Sequence, residues 1–326
     1  LCAMTIRCSI GTAKVLGLNK VRVDALPTTA YLMVGERCRF NCAFCAQARE
    51  SNSRADLLSR ISWPKFQRDS FLQGLVLPDA QTVLRRICFQ VVQDKDALED
   101  TKEWVKSVKS RTNLPICVSA GPRTLEEVQE LLELGVEHVS IALDAATAEI
   151  YAQSKDGSWK ERLELLSKSA DKFPGHMATH LIVGLGESEE EMVRCLQAMY
   201  DKGITVALFA FTPIKGTRME GRKQSEMSHY RRVQVAHDVI RTGLAQADHF
   251  DFHDGKIIDF GISVDELQEK RGGESFQTSG CSGCNRPYYN ETPGEELYNY
   301  PKRLTTEETE AAWAHVREAR EKLEGV

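Results

Sequence analysis

Three cysteines, Cys38, Cys42 and Cys45, fall within eight residues of the stretch ERCRFNCAFCAQARE (36–50), at steps of four and three. Thiolates are soft ligands, and three so close select Zn²⁺ or an iron–sulfur cluster. A structural zinc site normally takes four ligands, usually as two CxxC-like pairs, and no fourth Cys or His adjoins this stretch. Three thiolates instead hold three corners of a [4Fe–4S] cube and leave one iron open to an outside ligand, which a catalytic cluster needs. The ordinary alternative is three buried free thiols, but RCRFNC is too polar for a core. A second pair, Cys281 and Cys284, forms a CxxC in TSGCSGCNRPYYNETPG (278–294), half of a metal site. Its other half is expected from Cys8, with Cys2 (if native, since the chain starts at Leu1) and then Cys88 as further candidates.

These residues need elements to position them. Short apolar runs rich in branched and aromatic residues recur at 29–34, 87–92, 115–120, 138–143, 179–185 and 206–212 and read as strands; 250–263 is a further candidate. Helical patterns lie between them. TLEEVQELLELGV (124–136) is one, and SEEEMVRCLQAMYDKGI (188–204) another, with Ser188 as N-cap and Gly203 as the stop. Such alternation implies parallel pairing with right-handed crossovers. Six strands are too few for an eight-stranded barrel, which leaves an α/β partial (β/α)6 TIM-like barrel or an open doubly wound sheet. In either, chemistry sits beyond the carboxyl ends of the strands, and the cysteine loop directly follows the first strand. The expected organisation is an N-terminal segment (1–28), the barrel (29–265), and a CxxC tail with a final helix capped by Thr305 and Glu308 (266–326).

Composition sets outer bounds. Of 326 residues 27% are charged, yet the net charge is only −5, so no basic field points to nucleic acid. No run approaches about 18 apolar residues, and no signal-peptide pattern is present, so no membrane association is expected. Ten cysteines in a chain this long fit a cytoplasmic metal-binding protein better than a secreted disulfide scaffold.

CxxxCxxC with an aromatic before its last Cys, following the first strand of a βα array, resembles the radical S-adenosylmethionine (SAM) superfamily, over about residues 29–212. The resemblance implies that Cys38, Cys42 and Cys45 ligate a [4Fe–4S] cluster whose open iron chelates SAM, and that Phe44 packs near the adenine. IALDAAT and LIVGLGES resemble the biotin-synthase branch. That likeness gives Asp144 a contact to the SAM ribose, although by itself an Asp there also reads as a helix cap. It brings Gly184, Gly186 and Glu187 to the adenosyl group. The usual Gly-Gly-Glu at the second strand is absent; Gln90 or Gln93 takes its place at the SAM amino group. Cys88 and Cys117 fall where two ligands of the branch's internal sulfur-donating cluster stand, but the third position is Ala178. Ser140 and Ala142 replace two asparagines that handle the ureido ring. These departures argue against biotin synthesis itself.

SIGTA, DALPTTAYLM and CNRPYYNE resemble a component of the split, two-protein lipoyl synthase. This implies a second iron–sulfur cluster at Cys281, Cys284 and Cys8. It also implies sulfur insertion into an octanoyl chain carried by a lysine of a carrier protein or lipoyl domain. A second synthase component and a reductase or ferredoxin electron donor would complete the system. Arg286, Tyr288 and Tyr289 read as a docking or lid surface, or as aromatic packing. His180 reads as a core residue, His249 and His253 as marking a strand end, and Glu187–Glu191 as fronting a helix N-terminus. The alternatives are another enzyme of the branch (a rearrangement or methylation) with structural zinc at the tail, and a non-catalytic iron–sulfur carrier.

Overall fold

The computed structural model describes residues 4–291 and 294–324. Its strands are β1 (Thr5–Cys8), β2 (Thr29–Val34), β3 (Leu57–Leu58), β4 (Ile61–Ser62), β5 (Lys65–Gln67), β6 (Arg86–Val91), β7 (Ile116–Ala120), β8 (His138–Ile141), β9 (Met177–Val183), β10 (Thr205–Ala210), β11 (Asp251–His253) and β12 (Lys256–Asp259). The main sheet runs β10-β9-β8-β7-β6-β2-β1-β5. From β2 through β6 to β10 every pairing is parallel and every strand lies beside its predecessor. A doubly wound sheet reverses its order partway; this one does not, so right-handed crossovers put all the helices on one side. The result is a partial barrel wall, and its six parallel strands lie where the alternating pattern puts them.

Two parts depart from expectation. The N-terminal segment contributes β1, which pairs antiparallel with β2 and carries β5 on its far side. The stretch 250–263 forms a separate β11–β12 hairpin that does not extend the sheet.

Alternation along each strand separates core from site. Leu32, Ile87, Phe89, Ile116, Val118, Val139, Ile141, Leu181, Val206 and Leu208 all belong to one large apolar core with the helices. The opposite face carries Tyr31, Cys88, Gln90, Cys117, Ser119, His138, Ser140 and His180, a set too polar to serve as core. Ser188 and Glu191 make the expected capping box on the helix Glu189–Asp201. No helix among the described residues is long and apolar enough to cross a membrane.

Candidate active site

The cysteine loop starts at Gly35, whose φ of +93° and position against the Val92 carbonyl (2.4 Å from a hypothetical Cβ) exclude a side chain. The loop is then pinned through its backbone. The Arg39 N–H donates to the Gln93 carbonyl (2.8 Å), the Asn41 N–H to Asp156 Oδ2 (3.0 Å) and the Ala43 N–H to the Ser154 carbonyl (2.7 Å). Cys38, Cys42 and Cys45 are each half-buried. Burial, and then the other two thiols, push Cys45 up to about 12. Burial also raises Cys42, with Lys155 opposing. Three thiols that repel one another as thiolates are stabilised by a cation between them, so the donor set fits an iron–sulfur cluster.

Two clefts flank the loop. The first, with about 790 Å³ of space partly open to solvent, is lined by Phe44, Cys45, Gln90, Asp144, His180 and Tyr289 among others, with apolar walls from Leu58, Ile182, Phe209, Phe211 and Ile214. The second is lined by Cys38, Cys42, Gln93, Tyr151, Lys155 and Arg162. Asp144 stands at the carboxyl end of β8 with φ +62°, held by its N–H to the His180 carbonyl and by Ile182 N–H to its own carbonyl (both 2.8 Å). It does not cap a helix; Thr147 does that for Ala148–Ser154. Its carboxylate accepts from Lys155 Nζ at 2.6 Å. Burial works against the Lys155 cation, but Asp144 and Cys42 outweigh it and raise its pKa.

Other expected cofactor contacts are distributed differently. Phe44 and Gln90 reach the first cleft, Gln90 donating to Cys88 Sγ (3.1 Å), whereas Gln93 borders the second with Cys38 and Cys42. Gly184, Gly186 and Glu187 line neither cleft. Glu187 Oε1 accepts from the Gly184 N–H at 2.5 Å, and burial raises the carboxyl's pKa against several such backbone bonds. A Cβ on Gly184 would meet Ser225, and one on Gly186 would meet Arg222. This turn packs on its own loop and neighbours. Lys155, Arg162 and Tyr151 had no spacing signal in the sequence. His180, read there as core, faces the cleft with its ring edge on Phe209, and burial lowers it to about 4.

Deeper on the inner face a second set of thiols converges. Cys88 and Cys117 are register partners on β6 and β7, flanked by Tyr31 on β2 and His138 on β8. The tail brings Cys281 Sγ to 3.3 Å from Cys117 Sγ and Cys284 Sγ to 3.1 Å from the Tyr31 hydroxyl. Burial raises Cys88, and Cys281 and Cys284 raise it further. Two cations attend the group: Arg86 Nη1 lies 2.8 Å from Cys117 Sγ, and the Arg286 guanidinium stacks 4.0 Å over Phe209. The hydrogen bond from Cys117 lowers Cys281 to about 7, and both arginines help against burial. His138 Nδ1, 3.9 Å from Cys117 Sγ, completes a three-atom donor set with Cys281. Cys117, His138 and Cys281 are spaced to share one metal ion, and Cys88 and Cys284 stand beyond them, as further donors to a larger cluster would.

Cys8, the expected partner of the tail, is not in this group. It pairs with Leu32 on the outward side and is fully buried in the main core, where burial alone raises its pKa. Cys2 lies outside the described residues. Cys117, which sequence reasoning assigned to a damaged cluster, stands where Cys8 was expected.

The tail also covers an exposed strand edge. β10 is the last strand of the sheet; its Leu208 N–H donates to Ser279 Oγ (2.9 Å) and its Ala210 carbonyl accepts from Asn290 Nδ2 (2.7 Å). Arg286 is buried here, its Nε without a partner, and Tyr289 forms cleft wall, so these two are not an exposed docking surface.

The radical SAM superfamily profile matches residues 32–199. The chain is 27% identical over 194 residues to the biotin synthase of Hydrogenobaculum sp. (strain Y04AAS1), covering 57% of this chain and 56% of that protein. It is 27% identical over 191 residues to the biotin synthase of Persephonella marina (strain DSM 14350 / EX-H1), covering 57% and 55%. The chain thus spans about half the length of the curated relatives it matches. Among solved structures, methylornithine synthase superposes with a TM-score of 0.52 at 17% identity, covering 66% of this chain and 62% of that one. The FeFe-hydrogenase maturase HydG from Carboxydothermus hydrogenoformans gives 0.51 at 17%, covering 66% and 51%. These likenesses support the partial-barrel fold.

Proposed function

The chain belongs to the radical SAM superfamily, and from that premise we propose that it inserts sulfur into an aliphatic chain, as a component of a two-protein lipoyl synthase. One observation carries the reading: Cys88, Cys117, Cys281 and Cys284 gather on the same inner face whose cleft Cys45 lines. Tyr289, in the cleft wall, feels the charge of Cys45 as well as of Cys88 and Cys284.

Cys38, Cys42 and Cys45 would hold the SAM cluster. When bound there and reduced by one electron, SAM supplies a 5′-deoxyadenosyl radical able to take an aliphatic hydrogen. Lys155 and Arg162, beside Cys38 and Cys42, offer cations to the carboxylate of SAM; Asp144 offers its carboxylate to the ribose and Phe44 its ring to the adenine. The four deeper thiols would hold a second cluster, consumed as the sulfur substrate. Phe209, Phe211, Leu58, Ile182 and Ile214 wall the cleft in hydrocarbon, which accepts an alkyl chain and keeps water from a reactive radical. The substrate would be an octanoyl chain on a lysine of a carrier or lipoyl domain, with a reductase or ferredoxin as electron donor and a second synthase component.

The test is iron and sulfide content, with EPR after reduction, of anaerobically reconstituted Cys38/Cys42/Cys45→Ala protein. The expected result is about four irons and four sulfides per chain, as a second cubane requires. Loss of all iron with the triad, or zinc in its place, would remove the sulfur source. It would leave a one-cluster enzyme of this branch with a structural zinc tail, the reading that the close Cys117–His138–Cys281 set favours.

A further inference from the structure

Two loops frame the mouth of the first cleft. The one after β2 (35–60) supplies Phe44, Ala46 and Leu58 to its wall, and the one after β10 (213–223) supplies Ile214. They are joined: the Asn52 N–H donates to the Gly216 carbonyl (2.9 Å) and Ser53 Oγ to the Lys215 carbonyl. Gly216 must be glycine there, with φ +87° and a hypothetical Cβ 2.5 Å from Ser53 N.

Together these loops carry nine Lys and Arg against four Asp and Glu, in a chain whose net charge is −5. Most of the carboxylates are already engaged. Glu36 accepts from Lys65 at 2.6 Å and Arg7 at 3.3 Å, Asp56 from Arg54 at 2.6 Å, and Glu220 from the Gly216 N–H at 2.6 Å. Arg37, Arg39, Lys215, Arg218 and Lys223 are exposed, and among the described residues none has a carboxylate oxygen within 4.0 Å.

We infer that this basic rim docks an acidic protein domain that presents the substrate chain on a flexible side chain. The inference rests on the sulfur-insertion reading for the identity of that chain. Cations stand on both loops that contribute to the cleft wall, and the loops meet at Asn52 and Gly216, so one negative surface can engage both beside the cleft. The cleft walls beneath are largely apolar, so the charge serves the carrier and the hydrocarbon serves its cargo. Unpaired like charges repel one another in the free protein. A negative partner relieves that repulsion and is steered to the mouth by the field, which raises the association rate.

The test compares wild type with a Lys215→Glu/Lys223→Glu variant, since neither lysine lines the cleft. The probes are a net-negative octanoylated lipoyl-type domain, titrated at about 50 and about 200 mM salt, and an octanoyl-lysine peptide in a dithionite-driven 5′-deoxyadenosine assay. The variant is expected to bind the domain about ten-fold more weakly at low salt, with the gap narrowing at high salt, while peptide-driven 5′-deoxyadenosine formation is unchanged. Equal affinity of wild type and variant overturns the inference. So does a defect confined to reduction by an acidic electron donor with carrier binding intact, or wild-type binding of single-stranded nucleic acid in preference to the domain. If the domain binds through the rim but no sulfur enters its acyl chain, the docking surface stands and the sulfur-insertion reading fails.

Discussion

At the scale of single residues, Cys117 takes the place beside the tail cysteines that the sequence assigns to Cys8. Both are buried thiols on strands, but Cys8 faces the helices with Leu32 whereas Cys117 faces Cys88 across the inner sheet. A Cys117→Ser variant should lose most of the iron and sulfide that survive removal of the triad. Cys8→Ser should keep them, at no more than about 1–3 kcal/mol of stability for a hydroxyl in an apolar site. Iron and sulfide assays on both variants, in the triad-free background, check this. Asp144 teaches the complementary lesson. Local sequence allows it to be a cap, and only the β8 end geometry and the Lys155 contact assign it to the cleft.

At the scale of elements, the tail is a strap held at both ends. Its inner end is tied by Ser279 and Asn290 to the β10 edge. Just before it, Phe276 packs edge-on against Trp313 of the helix Thr306–Glu324, with ring centroids 5.1 Å apart. Trp313 Nε1 also donates to the Gly272 carbonyl at 2.8 Å. Trp313→Ala should cost about 3–5 kcal/mol in urea unfolding, in the range for a fully buried aromatic. Because the helix anchors the segment bearing Cys281 and Cys284, the variant should also retain less iron in the deeper site than at Cys38, Cys42 and Cys45. Equal retention at the two sites would show that the strap does not depend on this helix.

At the scale of the whole molecule, the barrel wall separates an apolar outer shell from a polar interior, and a buried histidine on each side of it, His237 and His180, charges a cost at low pH. Burial lowers His180 and His237 to about 4 each, below the value near 6.5 of an unfolded chain. The unfolded state therefore binds protons between those limits that the folded state refuses. Stability from these two groups is full above about pH 6.5 and is lost as pH falls toward 4, at up to about 1.4 kcal/mol per pH unit for each imidazole. The melting temperature followed from pH 7 to pH 5 should fall less steeply in His180→Gln than in wild type. Identical slopes would mean that the His180 imidazole protonates freely in the folded chain.

What is local in this protein was legible in its residues alone. The CxxxCxxC spacing, the six strand stretches and the Ser188 cap each depend on residues a few positions apart, whereas His180, which reads as core in its apolar stretch, faces the cleft. Which distant groups meet was not legible there. Cys281 and Cys117 are 164 residues apart, and Lys155 reaches Asp144 from the end of a helix. Those meetings follow from strand register, from the closure of six parallel strands into a curved wall, and from the edge of β10 needing a cover. Each of these is a property of the assembled sheet, and no short window of the chain encodes it.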